Sequence, residues 1–233
     1  TNERMRPPPE RKELELYYYA LWGVDRALAD KAISRRAKIA DRYHPMEPDH
    51  LLKDDEIVSI PGFDLKTIHT PGHCPDEVVY WQEELKVFFS GDHLLPNITP
   101  VCLTQMPRKI GDVRPRALSE YQDSLAKVAP YPARVTYPSH GAPITDHLEL
   151  IKSYGLSTDR RLLKISRILK AGGPMTPMAV GKELFPKAWE EQIVPVMSEI
   201  IGHCDLLEDA GHLVETENNG IIEYHYRSTP APS

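Results

Sequence analysis

His73, Asp92 and His140 are the residues of this chain whose types and settings could do chemistry. Each follows an apolar stretch and lies inside a glycine-containing turn: PGH at 71–73, GDH at 91–93 and SHG at 139–141. Glycine beside such a residue lets the backbone turn sharply, so the side chain can point off a sheet edge toward a common centre. Imidazole and carboxylate are donors that borderline divalent metals take, and an aspartate can bridge two ions through its two oxygens. Taken singly, the histidines read as turn residues and the aspartate as a turn cap. The ordered set of three points to metal chemistry.

The elements that must position these residues fall in three zones. Residues 12–40 mix aliphatic and aromatic side chains at helical spacing, with Gly23 breaking the run into two helices. From 41 to 145 the pattern turns to short strands punctuated by turns: EIVSI, DLKTIHT, EVVYW and LKVFFS, then a helix at 118–129 (LSEYQDSLAKVA) and a strand in ARVTYPSHG that ends at His140. Strand, helix, strand with polar residues at the strand ends predicts an α/β layered domain whose site collects at a sheet edge. The third zone, 146–229, opens with a long helix stopped by Gly172-Gly173-Pro174. Two further helices follow, and then a hairpin around Asn218-Asn219-Gly220, where Asn-Gly supplies positive φ. Three helices and a hairpin is the order of a winged helix. The sequence thus predicts two domains, 1–145 with a helical insertion at 12–40, and a small α+β domain at 146–233.

Composition removes several classes of function. A chain of 233 residues with 41% hydrophobic side chains can bury one sizeable core or two smaller ones. The net charge of -6 is spread along the chain with no long basic run, which disfavours a polyanionic partner. Residues 155–227 hold eight Lys and Arg against eleven Asp and Glu, the wrong sign for a duplex-binding winged helix. Cys74, Cys102 and Cys204 are widely spaced, which suits a reducing cytoplasm better than a disulfide framework. No stretch approaches the roughly 18 to 20 apolar residues that span a bilayer. The expectation is a cytoplasmic protein with a small-molecule substrate, no membrane partner and no nucleic acid.

The segments around the three residues carry a family resemblance. IHTPGHCPDEVVYW, FFSGDHLLPNITP and YPSHGAPI resemble the third, fourth and fifth ligand motifs of the metallo-β-lactamase superfamily of binuclear hydrolases. The similarity runs from about residue 45 to the end and is closest to the branch with a C-terminal winged-helix extension, which includes the β-lactamase-like protein 2 group. It implies that His73 binds a first metal, Asp92 bridges both, and His140 binds the second. The implied ions are two divalent cations, zinc first, with manganese or iron in some members. The implied activity is hydrolysis of a small ester, thioester or lactam-like substrate by water that a metal activates and Asp92 helps to hold. A metal-dependent ribonuclease and a non-catalytic fold remnant are the alternatives.

This chain departs from the family pattern in one large respect. The leading H-x-H-x-D-H motif is missing, since no H-x-H occurs anywhere. The resemblance therefore implies the C-terminal half of an αββα sandwich followed by the winged-helix-like domain, with two protein donors per ion where catalytic zinc takes three. Weak or absent metal binding by the chain alone is the expectation. A truncated piece of a full hydrolase and a degenerate paralogue both fit, and the intact TPGH, GD and SHG turns favour the piece. A half-sandwich would leave apolar surface that pairs with another copy or with the missing N-terminal segment. Smaller departures are Ser139 before the fifth-motif histidine and Asp76-Glu77 after TPGHCP. Arg108 and Lys109, in the loop after the fourth motif, could receive an anionic substrate group. The remaining conspicuous residues read as structural: His93 and His69 as core or strand-end histidines, His44, His50 and His147 as surface, His203 and His212 as packing around the last helix, and Tyr17-Tyr18-Tyr19 with Trp22 as core.

Overall fold

The computed structural model describes residues 9–40 and 48–228, and His44 lies outside them. Among the described residues two helices come first, α1 (Pro9–Leu21) and α2 (Arg26–Ala40). Gly23, at φ +76°, makes the break between them. Five strands follow: β1 (Ile57–Ile60), β2 (Phe63–His69), β3 (Val78–Gln82), β4 (Val87–Gly91) and, after helix α3 (Ala117–Val128), β5 (Val135–Pro138). The remainder is α4 (His147–Gly172), α5 (Pro177–Leu184), α6 (Ile193–Asp209) and the hairpin β6 (Leu213–Asn218) and β7 (Ile221–Tyr226). Among the described residues no helix is long and apolar enough to cross a membrane.

Contacts divide the chain into two units. The sheet unit is His50–Leu103 with Arg116–Leu162, and the helical unit is Thr1–Asp49, Thr104–Pro115 and Leu163–Ser233. By contacts the long helix divides between Leu162 and Leu163, and residues 9–40 group with the helical unit. The physical reason is packing within the helical unit. The Met178 N–H donates to the Trp22 carbonyl at 3.0 Å, a Cβ on Gly23 would lie 3.0 Å from Thr176 Oγ1, and Lys31 pairs with Glu191 at 2.9 Å. Arg114 pairs with buried Asp205 at 2.5 Å, which binds the 104–115 segment to α6. Tyr18, Tyr19 and Trp22 are buried in this unit as core, while Tyr17 is 40% exposed.

The sheet has strand order β1-β2-β3-β4-β5, antiparallel except for the parallel β4-β5 pair that α3 connects. Alternation along each strand sorts side chains to two faces. One face carries Ile68, Val79, Trp81 and Phe88, all nearly inaccessible and packed on Val128 of α3 with Tyr131 and Ile151. Ala117, Tyr121, Ser124, Leu125 and Val128 are the buried positions of α3, a spacing of three, four and seven that puts them on one helical stripe. On the opposite face, Phe89 stacks on its register partner Tyr137 with ring centroids 5.8 Å apart. That face stays half open: Ile60, Phe63, Phe89 and Tyr137 are 42% to 46% exposed. A sheet with helices packed on it agrees with the α/β layered domain that the sequence predicts.

In the helical unit, Thr176 caps α5 by accepting the Ala179 N–H at 3.1 Å, with Pro177 in the first turn. The hairpin turns at Asn219 and Gly220, both at positive φ (52° and 77°), as the Asn-Gly pair requires. Eleven of the seventeen residues of α6 are buried.

Candidate metal centre

The three residues picked from their turns do meet. His73 Nε2 lies 3.5 Å from Asp92 Oδ2, and His140 Nε2 lies 3.5 Å from Asp92 Oδ1. The two imidazoles therefore face different oxygens of one carboxylate. His140 is 75% exposed, whereas His73 and Asp92 are about two-thirds covered.

Their surroundings fix which atoms face one another. His73 Nδ1 is 2.8 Å from the Val101 carbonyl. A carbonyl only accepts, so Nδ1 donates to Val101 and Nε2 is the nitrogen turned toward Asp92. This is how a metal-binding imidazole is usually oriented, through a bond made by its other nitrogen. Gly72 has no room for a side chain, since a Cβ there would lie 2.4 Å from Tyr121 Cβ. Ser124 Oγ donates to the Pro71 carbonyl at 2.8 Å. Thus α3 braces the first turn at two points. Gly141 abuts Pro96 in the same way, with a would-be Cβ at 2.6 Å, so the SHG turn packs on the loop after the GD turn. That loop is held by Tyr154, whose hydroxyl accepts from the Leu95 N–H and donates to the Leu95 carbonyl.

Two neighbours were not singled out by spacing. Glu77, largely buried, accepts the Asp92 N–H on Oε1 at 2.8 Å. Burial pushes its carboxyl above the usual carboxylate range, against the opposing pull of His73 and of the Asp92 N–H. Ser139 Oγ lies within hydrogen-bond reach of Asp92 Oδ1 and of the Gly91 carbonyl. In the sequence these two appear only as departures from the family pattern; their contacts depend on the fold.

The donor types and spacing suit divalent cations, but the number of donors does not. Tetrahedral ligands at roughly 2.0 to 2.1 Å from zinc stand about 3.4 Å from one another, so each histidine–aspartate pair is spaced as one edge of such a shell would be. Two donors per ion fall short of the three that a catalytic zinc takes. Among the described residues no group of three or more His, Cys, Asp or Glu is placed to hold a metal ion.

Arg108 and Lys109 stand exposed in the Thr104–Pro115 segment, which belongs to the helical unit and not to the unit that holds His73, Asp92 and His140. His147, expected at the surface, is 5% exposed: its ring packs edge-on against Phe88 and reaches the Ala129 carbonyl at 3.4 Å. It opens α4 on the side that covers the sheet, which its polar type alone did not disclose. His50 is exposed and pairs with Glu56, His69 ends β2 bonded to the Pro75 carbonyl, and His203 is buried in α6. His93 is fully buried against Tyr121, and among the described residues neither ring nitrogen makes a well-formed hydrogen bond, the Ser124 main chain being the polar group that faces it. Burial holds its pKa down at about 4.

Residues 6–140 match the family described as the metallo-beta-lactamase superfamily. A protein of Bacillus subtilis named "Probable metallo-hydrolase YqjP" is 34% identical over 60% of this chain and 44% of its own length. A "Beta-lactamase-like protein 2 homolog" of Caenorhabditis elegans is 29% identical over 70% of this chain and 50% of its own. An "Atrochrysone carboxyl ACP thioesterase" of Aspergillus fumigatus is 26% identical over 59% of this chain and 38% of its own. The chain thus spans half or less of the length of these curated relatives. Among solved structures, a metallo-beta-lactamase family protein of Thermus thermophilus superposes with a TM-score of 0.80 at 23% identity, covering 97% of this chain and 68% of that one. A beta-lactamase domain protein of Burkholderia ambifaria gives 0.74 at 24% identity, over 90% and 60%.

Proposed function

The chain belongs to the metallo-beta-lactamase superfamily, and from that premise we propose that it serves a metal-dependent hydrolase of a small ester, thioester or lactam-like substrate. The observation that carries this reading is one carboxylate, Asp92, set between two imidazoles that face its separate oxygens. The contribution of this chain is then Nε2 of His73, both oxygens of Asp92 and Nε2 of His140, with zinc as the first choice of ion. Activity requires further donors that the described residues do not supply. Among substrate classes a thioester is favoured, because two relatives are named thioesterases.

The nucleic-acid alternative is weaker on two counts. The C-terminal region is acidic, and α6, which a winged helix would lay into a groove, is mostly buried. The test uses the full open reading frame, purified with its metal content measured, on a panel of short-chain acyl thioesters beside single-stranded RNA. Thioester turnover that falls at least about 100-fold, with loss of bound metal, in Asp92→Asn and His73→Ala is the expected result. RNA cleavage without thioester turnover would overturn it, and failure of the full-length protein to bind any divalent metal would leave the non-catalytic reading.

A further inference from the structure

Glu77 joins the two turns that carry His73 and Asp92. Its carbonyl accepts the Thr70 N–H at 2.9 Å and its own N–H donates to the Cys74 carbonyl at 3.4 Å, which closes the 70–77 loop around His73. Its side chain leaves that loop, and Oε1 accepts the Asp92 N–H at 2.8 Å. Gly91, at φ +55°, lets the GD turn come this close: a Cβ there would sit 3.0 Å from the same Oε1. Meanwhile Oε2 is buried with no hydrogen-bond partner among the described residues. A half-satisfied buried carboxyl costs free energy, so on stability alone this position suits an apolar residue better. The bond to Asp92 is a positional return. It holds the main chain of Asp92 where β4 ends, and with it the direction of the Cα–Cβ bond that presents the carboxylate.

We propose that Glu77 is a positioning residue that holds the Asp92 turn against the His73 loop, so that each oxygen of Asp92 stays presented to one imidazole. The functional consequence rests on the metal-centre reading given above; the geometric part stands without it. Amide hydrogen exchange of the ¹⁵N-labelled chain separates the two. The Asp92 amide is protected in the parent chain, loses at least roughly tenfold of that protection in Glu77→Ala, and keeps it in Glu77→Gln, whose side-chain carbonyl still accepts. The Thr70 amide, bonded to the main chain of residue 77, stays protected in all three. In the full open reading frame Glu77→Ala lowers thioester kcat roughly 10- to 100-fold with KM little changed, and Glu77→Gln recovers most of it. Unchanged Asp92 protection in Glu77→Ala overturns the proposal, as does joint loss of Thr70 and Asp92 protection in both variants, which means general support of the fold. If Asp92 protection responds as expected while His73→Ala and Asp92→Asn leave turnover intact, the metal-centre reading fails and the positional role of Glu77 survives.

Discussion

His93 shows how a residue beside the candidate site can matter for stability instead of chemistry. Its imidazole is fully buried, and burial lowers its pKa from 6.5 to about 4. The folded chain therefore keeps it neutral where the unfolded chain protonates it. Its contribution is complete above pH 6.5 and is lost as the pH falls toward 4, where roughly 3 kcal/mol has gone. Urea unfolding at pH 7, 5.5 and 4 should show this acid loss, and His93→Phe should flatten it. A profile unchanged by the substitution would mean that other groups cause the loss. Gly72 makes a second prediction at this scale. At φ +141° and with Tyr121 Cβ 2.4 Å from a would-be Cβ, Gly72→Ala strains the backbone and displaces α3, at a cost of about 2 kcal/mol or more. Thermal melts would measure it, and loss of the 3.5 Å approach of His73 to Asp92 should accompany it in a crystal structure.

Adjacent residues of β4 separate the two faces of the sheet. Phe88 is fully buried among Trp81, Tyr131 and His147, whereas Phe89 stands 42% exposed beside Tyr137. Phe88→Ala should cost about 3 to 5 kcal/mol in urea unfolding and Phe89→Ala about 1 kcal/mol or less. Equal costs would show that the second face is covered in solution. The cap of α5 gives a smaller effect: Thr176→Ala removes the bond to the Ala179 N–H and should cost about 1 kcal/mol.

The open face of the sheet, with Ile60, Phe63, Phe89 and Tyr137, bears on the whole molecule. An apolar sheet face of this kind packs readily against another sheet at about 10 Å. The expected outcome for the isolated chain is concentration-dependent self-association in sedimentation velocity, weakened by Phe89→Lys. A monomer over the full concentration range would count against it. The helical unit gathers the start, a middle segment and the end of the chain through Trp22, Arg114 and Lys31, whose partners are Met178, Asp205 and Glu191. Pairings so far apart in sequence leave no local signal, and this is why a single cut near 145 looks natural from composition.

By itself the sequence determined the element types, the helix break at Gly23, the Asn-Gly hairpin and the three glycine turns that carry His73, Asp92 and His140. These follow from periodicity and from positive φ, both of which are local. Tertiary structure alone decided that the two histidines address separate oxygens of Asp92, that Glu77 and Ser139 touch the same aspartate, and that His147 is core. Each of these is a contact across turns or layers, set by strand register and by helices docking on one face of the sheet. Two neighbours in β4, Phe88 and Phe89, are alike in type, and only the side on which α3 lies makes one of them core and leaves the other open to solvent.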